Sequence, residues 1–382
     1  MAKELDELAI GRFAAEPLRK FSSDVFEAAG FCSEDALMAA EVLIWASLRG
    51  VDTHGIRNLK RYYIDSSGVG RRDGEIIPDA PLQVDGESGS CASLNANGGL
   101  GLSVSFKAMQ RTIRLAEDHG VGIVTVRNST HFGAAGFYAS LAAEQDMIGF
   151  ASTGYFFPNG QKKAVVPFGG LIPMLSTNPV AMACPAGDQP MFLLDMSTSI
   201  IPVNRIEMLE EMDRPIPDGW AVDTASQSTT DPACVNGVEP LGGATSYGGH
   251  KGYGLALASW ILTGILSGAW KTDARPERIL GDIPEPCHGH AQEGIAHCFA
   301  AIRLDHFVDP EAFKLGLDSM INSLNDSDPA AGFERVLVPG QPEHEALQRR
   351  SRSGIPVSRA TVEDLTSLSQ QFQIPLPVLR AD

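Results

Sequence analysis

No CxxC pair, no basic-then-apolar leader and no standard phosphate-binding glycine motif occurs in these 382 residues, and each absence removes a class of protein. The six cysteines (Cys32, Cys91, Cys184, Cys234, Cys287, Cys298) are widely spaced, so a disulfide framework is not expected and reduced thiols fit better. The opening MAKELDELAI carries acids where a signal peptide is basic and then apolar, and the expected location is cytoplasmic. Positive charge is scarce: 30 Lys and Arg stand against 47 Asp and Glu, a formal net charge of −17. That balance repels phosphate backbones and anionic lipid, so neither nucleic acid nor a membrane surface is an expected partner. The Walker spacing GxxxxGK[ST] is missing, as is a GxGxxG after an N-terminal strand, and neither standard nucleotide fold is supported. A G-x-S-x-G elbow, the mark of many Ser/His/Asp hydrolases, is also missing.

What is present describes a soluble globular protein of two lobes, with 43% hydrophobic and 20% charged residues and no repeat or low-complexity segment. Helical spacing is expected over Ala15 to Ala29, with Gly30 as its stop, and Ser33 caps a second helix to about Leu48. Further helices are expected over Ile56 to Ile64 and Leu102 to His119, and another from Asp309-Pro310 to near Leu324. Gly122 to Val126, Met147 to Thr153, Pro190 to Met196, Ala300 to Leu304 and Arg335 to Val338 read as strands. The uncharged run Gly252 to Trp270 is just long enough to raise the question of a membrane span. Its glycines and hydroxyls make it a fully buried core helix instead.

Chemistry is expected where small residues surround reactive ones at chain reversals. His131 follows the strand Gly122 to Val126 and the polar turn Arg127 to Thr130, with Gly133 and Gly136 beside it and a helix beyond. Such a junction offers free amides to an anion and an imidazole to a proton. Asp52-Thr53-His54-Gly55, Ser176-Thr177-Asn178-Pro179 and Asp195-Met196-Ser197-Thr198-Ser199 are similar junctions, and Gly248 to Gly254 places Lys251 among glycines at a helix start. Cys287, His288, His290, His297 and Cys298 put five possible metal ligands within twelve residues, but their spacing matches no common zinc site and no metal is expected.

Taken in order, seven stretches resemble the malate/L-lactate dehydrogenase family of the non-Rossmann type. They are Val51 to Gly55, Asn128 to Gly133, Ser176 to Ala181, Asp195 to Ser199, Gly249 to Leu255, Asp309 to Phe313 and Val338 to Gly340. The family also includes ureidoglycolate and sulfolactate dehydrogenases, diketogulonate reductase and Δ1-piperideine-2-carboxylate reductase. The resemblance implies a mixed α+β fold, with a largely antiparallel sheet domain (79–308) for NAD(P) and a helical domain built from both chain ends (1–78 and 309–382). It implies hydride transfer between NAD or NADP, with NAD favoured, and a small 2-hydroxy or 2-oxo acid, in a homodimer. By this likeness His54 with Thr53 and Asp195 is the proton relay of one family branch, and His131 the acid/base group of another. His131, Phe132, Gly133, Ser176, Thr177, Asn178, Pro179, Lys251, Pro339 and Gly340 would line the cofactor. Three positions depart from the family pattern: Asn58 replaces an arginine, with Arg57 one place earlier; Asn204-Arg205 replaces Gly-Lys; and Gln341 replaces a glutamate. Arg57 is then the candidate for the substrate carboxylate, beside Thr53 and His54. Reduction of a cyclic 2-imino acid, or a cofactor-free binding role on the same fold, are the alternative readings.

Overall fold

The computed structural model describes residues 9–65, 76–78, 80–243, 247–270 and 294–380. A short strand β1 (Gly11–Phe13) leads into helices α1 (Ala15–Ala28) and α2 (Ser33–Leu48). A single 3-10 turn (Asp52–His54) and a wide π-helical turn (Leu59–Ile64) follow. Then come β2 (Gln83–Ser88), β3 (Cys91–Asn95), α3 (Gly101–His119), β4 (Val121–Ser129), α4 (Ala135–Ala143) and β5 (Met147–Gly154). Next are β6 (Ala164–Val165), β7 (Val180–Cys184), β8 (Phe192–Met196), α5 (Val203–Glu211), β9 (Ala221–Val222), β10 (Gly237–Val238) and α6 (Gly249–Trp260). The chain closes through β11 (Ile295–Arg303), α7 (Pro310–Asn325), α8 (Gln341–Ser353), β12 (Ile355–Val357) and α9 (Arg359–Phe372).

Seven strands form one sheet in the order β2-β3-β4-β11-β5-β7-β8. Only the β3–β4 pair is parallel, so the sheet is largely antiparallel. Helices α3 and α4 cover one face, and α6 with the turn after it covers the other. Glycines on the strands permit this: a Cβ at Gly149 would strike the Ala139 carbonyl of α4, and one at Gly154 would strike Thr263 beyond α6. Five positions apart on one strand, the two glycines face opposite sides. A continuous apolar cluster runs from Phe21 and Phe26 of α1 through Leu43 of α2 to Tyr138, Phe299 and Leu365. The two ends of the chain meet where β1 pairs with β12.

Several expectations need correction. The polar turn before His131 is still strand: β4 runs to Ser129, and Asn128 takes φ 54° where the pairing with β11 slips between Ile295 and His297. Ser33 is the first helical residue rather than the cap, a position held by Cys32. The expected third helix from Ile56 is only the wide turn Leu59–Ile64. Arg335 to Val338 forms no ladder, because it leads straight through Pro339-Gly340 into α8. The run Gly252 to Trp270 is not fully buried. Leu255, Ile261, Leu262, Ile265 and Leu266 are 40–59% exposed in the single chain, because only one side of this helix meets the sheet. Among the described residues, no helix is long and apolar enough to cross a membrane. His297 and Cys298 belong to the central strand β11 rather than to a loop, while Cys287, His288 and His290 lie outside the described residues.

Candidate active site

Helix α2 ends at Leu48, and the 3-10 turn that follows sets Thr53 and His54 at the foot of the sheet. Two amides fasten this turn by one carbonyl: the Thr53 oxygen accepts from Asn58 Nδ2 at 2.8 Å and from Asn204 Nδ2 at 2.7 Å. Asn204, on α5, accepts in turn from the Tyr62 hydroxyl at 2.7 Å. The other side of the turn is fastened by charge. Asp52 accepts from Nη1 and Nη2 of Arg350 at 2.5 and 3.0 Å, and Nη1 also donates to the Ser47 carbonyl at 2.5 Å. The Arg350 side chain is 0% exposed and that of Asp52 8%, so this is a buried ion pair reaching from α8 to the turn.

His131 comes down from β4 onto the same spot. Its ring stacks on His54 with centroids 5.7 Å apart and planes within 14°, and Tyr62 leans on it at 4.8 Å. Nδ1 of His131 lies 2.7 Å from the Tyr63 hydroxyl and accepts from the Gly133 amide at 3.3 Å. The Thr53 hydroxyl lies 2.9 Å from Nδ1 of His54. Burial drives both imidazoles away from the charged form, His54 to about 4 and His131 to about 3, and the neighbouring histidines depress His131 further. Both are therefore neutral near pH 7, as a proton acceptor must be.

Asp195, at the end of β8, accepts from the Gly136 amide at 2.7 Å in the first turn of α4. Burial lifts its carboxyl to about 6, against the pull of that amide and with repulsion from Glu343 adding to the rise. Its hydrogen-bond partner is thus the α4 amide, not His54, as the relay expectation had it.

Two clefts open on either side of His54. One, about 800 Å³ and open to solvent, is walled by Thr53, Ala134, Thr177, Asp195, Ser197 and Arg205. The other, about 780 Å³, is walled by His131, Tyr62, Ser176, Lys162, Lys163 and Asn204. His54, Thr177 and Pro202 border both.

Of the expected cofactor contacts, Gly133, Thr177 and Pro179 face the first cleft, and His131, Ser176 and again Thr177 the second. Phe132 does not: it is 1% exposed and stacks on His297 at 4.8 Å in the core. Asn178 is fully buried and braces the loop, donating to the Ala256 carbonyl at 3.1 Å and accepting from the Tyr155 amide at 3.1 Å. Lys251 is exposed on α6 and borders neither cleft. Pro339 holds the edge of β8, its carbonyl accepting from the Leu193 amide at 3.1 Å. Gly340 borders a third cleft of about 570 Å³ with Trp45, Arg49, Glu144 and Glu343. Arg57 borders neither histidine cleft; its guanidinium is paired with Glu211 at 2.8 Å.

The residues that sequence reasoning passed over are Tyr62, Tyr63, Asn204, Arg205 and Arg350. Two signals pointed at them: Asn204-Arg205 stood out as a departure from Gly-Lys, and Arg350 sits in the basic cluster of the tail. Nothing marked the tyrosines, which read as ordinary apolar positions.

The malate/L-lactate dehydrogenase family model matches residues 13–366. The chain is 36% identical over 370 residues to a malate dehydrogenase of Pyrococcus horikoshii, covering 95% of this chain and 96% of that protein. It is 34% identical over 361 residues to an L-sulfolactate dehydrogenase of Methanocaldococcus jannaschii, covering 93% and 95%. The crystal structure of a malate dehydrogenase from Entamoeba histolytica is similar with a TM-score of 0.84 at 29% identity, over 96% of this chain and 99% of that one.

Proposed function

The chain belongs to the malate/L-lactate dehydrogenase family, and from that premise we propose that it interconverts a small 2-hydroxy acid and its 2-oxo acid with NAD or NADP. The observation that carries the reading is the pair of neutral, stacked imidazoles, His54 and His131, at the junction of two clefts. Oxidising an alcohol carbon requires its hydroxyl proton to leave as its hydrogen departs, and an imidazole at this point can take that proton.

The nicotinamide nucleotide, when bound, supplies the hydride acceptor or donor. The first cleft fits such a group. Gly133, Ala134 and Ala135 keep its wall low at the start of α4, Asp195 and Ser197 offer acceptors and a hydroxyl, and Met196 supplies an apolar face. The substrate then occupies the second cleft against His131 and Tyr62, with its carboxylate drawn to Lys162 rather than to Arg57, whose guanidinium is paired with Glu211. The protein works as a homodimer, whose contact is the exposed apolar side of α6 and the turn beyond it, Leu255 to Leu266. The helical unit from both ends and the sheet unit between them are the two parts of each subunit.

The test is a titration of NADH and of NADPH against tryptophan fluorescence, followed by a panel of 2-oxo acids and cyclic imines with whichever nucleotide binds. Energy transfer with at least one nucleotide and turnover of at least one 2-oxo acid are expected. No binding of either nucleotide would refute the reading, and turnover of cyclic imines alone would replace it with the imino acid reductase.

A further inference from the structure

Two donors converge on one nitrogen of His131. The Gly133 amide has only a hydrogen to give, so Nδ1 meets it with a lone pair. The Tyr63 hydroxyl, 2.7 Å from the same Nδ1, must then be a donor too. Tyr63 is 1% exposed and packed against Phe26 and Tyr62. A neutral imidazole carries a single N–H. We infer that the Gly133 amide locks His131 in the tautomer protonated at Nε2, with Tyr63 a positioning residue that steadies the ring through the same Nδ1, so that His131 can only donate to the substrate oxygen and the proton itself is exchanged with His54.

The consequence for chemistry rests on the dehydrogenase reading; the tautomer does not. His54 is not locked. Its Nδ1 partner is the Thr53 hydroxyl, which can accept or donate, so Nε2 of His54 is free to carry a lone pair. In the oxidative direction the hydroxyl proton passes to Nε2 of His54, which becomes the imidazolium, while Nδ1–H is held by Thr53. A bound oxidised nicotinamide would supply the hydride acceptor for the carbon's hydrogen and its electron pair, which leaves the C–O bond as C=O. His131 keeps its Nε2–H throughout and steadies the oxygen. The imidazolium then gives its proton to solvent.

Other charged and titratable groups surround this exchange. Asp195 and Arg205 lie across the first cleft, and Glu207, Lys162 and Lys163 across the second, while Asp52 is already neutralised by Arg350. Tyr62 and Tyr63 stay protonated, both pushed above the usual phenol range by burial. Two stacked imidazoles cannot both hold a charge cheaply, so one acceptor and one donor is the division that this contact favours.

Long-range 1H–15N correlation spectra of the full-length, histidine-labelled protein at neutral pH read the tautomer directly. The His131 signals are assigned by their loss in His131→Gln and by contacts between its ring protons and Tyr63. A proton on Nε2 is expected in the parent and also in Tyr63→Phe, which keeps the Gly133 amide; a proton on Nδ1 in the parent would overturn the proposal whether or not any substrate is turned over. With the best substrate of the panel, Tyr63→Phe should lower kcat about tenfold while leaving nucleotide affinity unchanged. His131→Gln, which still presents an amide N–H, should keep measurable turnover and the parent's pH dependence of kcat/KM. His54→Gln should lose about 10²- to 10⁴-fold and the pH dependence with it. The reverse pattern, with the pH dependence following His131, would assign the proton to the wrong ring. Absence of turnover in the parent would count against the dehydrogenase reading alone, with the spectra still deciding the tautomer.

Discussion

Arg350→Met removes the cation of a buried pair while keeping much of the side chain's volume. Its partner Asp52 is only 8% exposed and would lose this guanidinium, and the Ser47 carbonyl would lose a donor. Breaking a buried pair from one side costs about 3–5 kcal/mol, because the stranded charge cannot be rehydrated in place. Against a typical total of about 5–15 kcal/mol, that is a third or more of the stability. Urea unfolding should therefore show a clearly lower midpoint. The control is Arg350→Met combined with Asp52→Asn, which removes both charges and should recover at least half of the loss. A single variant within about 1 kcal/mol of the parent, or a double variant in which the two losses simply add, would refute the assignment of a coupled buried pair. Turnover should fall in the single variant by more than stability explains, since the same pair holds the turn bearing Thr53 and His54.

Three further outcomes are expected. His54, His131 and His297 all have folded-state values depressed by burial, to about 4, 3 and 3, so the unfolded chain binds their protons first. Their stability is complete above pH about 6.5 and is lost as pH falls below it, whereas Asp195, raised to about 6, contributes stability that is present at low pH and lost as pH rises through 6. The histidines outnumber it, and the urea midpoint should fall between pH 6.5 and 5 by the equivalent of about 1–3 kcal/mol per unit; a midpoint that rises on acidification would contradict their burial as neutral rings. Arg57→Ala should leave the KM of the acid within about twofold, while Lys162→Ala should raise it about tenfold or more, as steady-state kinetics with the best panel substrate will show. Leu262→Glu places a charge on the exposed apolar side of α6 and should halve the mass seen by light scattering at micromolar concentration; an unchanged dimer would move the interface elsewhere.

The parts of the site that sequence made legible are those that announce themselves in a few consecutive residues. Thr53-His54, His131 and Asp195 each stand at a chain reversal among small residues, and the structure brings all of them to two adjoining clefts. What could not be read is who answers them across space. Arg350 is 298 residues from Asp52, and Asn204 is 151 from Thr53; no local pattern records either pairing. Arg57 attracted attention because it stood next to a missing arginine, but Glu211 claims its guanidinium. Asn178 was legible as a polar turn residue, although its amide serves the loop behind the cleft. The fold followed similar lines. Periodicity located α1, which presents one apolar stripe to the core, while the glycines before Leu102 and the Asp309-Pro310 start located α3 and α7. It misjudged Gly252 to Trp270, where an unbroken lack of charge hides the difference between a helix buried all round and one with a bare apolar side.

The Arg350–Asp52 pair also sets an order of events during synthesis. Residues 9–65 can emerge and collapse early, but the loop at Asp52 lacks its counter-charge until position 350 has been polymerised, nearly three hundred residues later. Until then the Asp52 carboxylate lacks the guanidinium that pairs with it in the finished fold. The corner is accordingly completed only after the segment that carries Arg350 has been made.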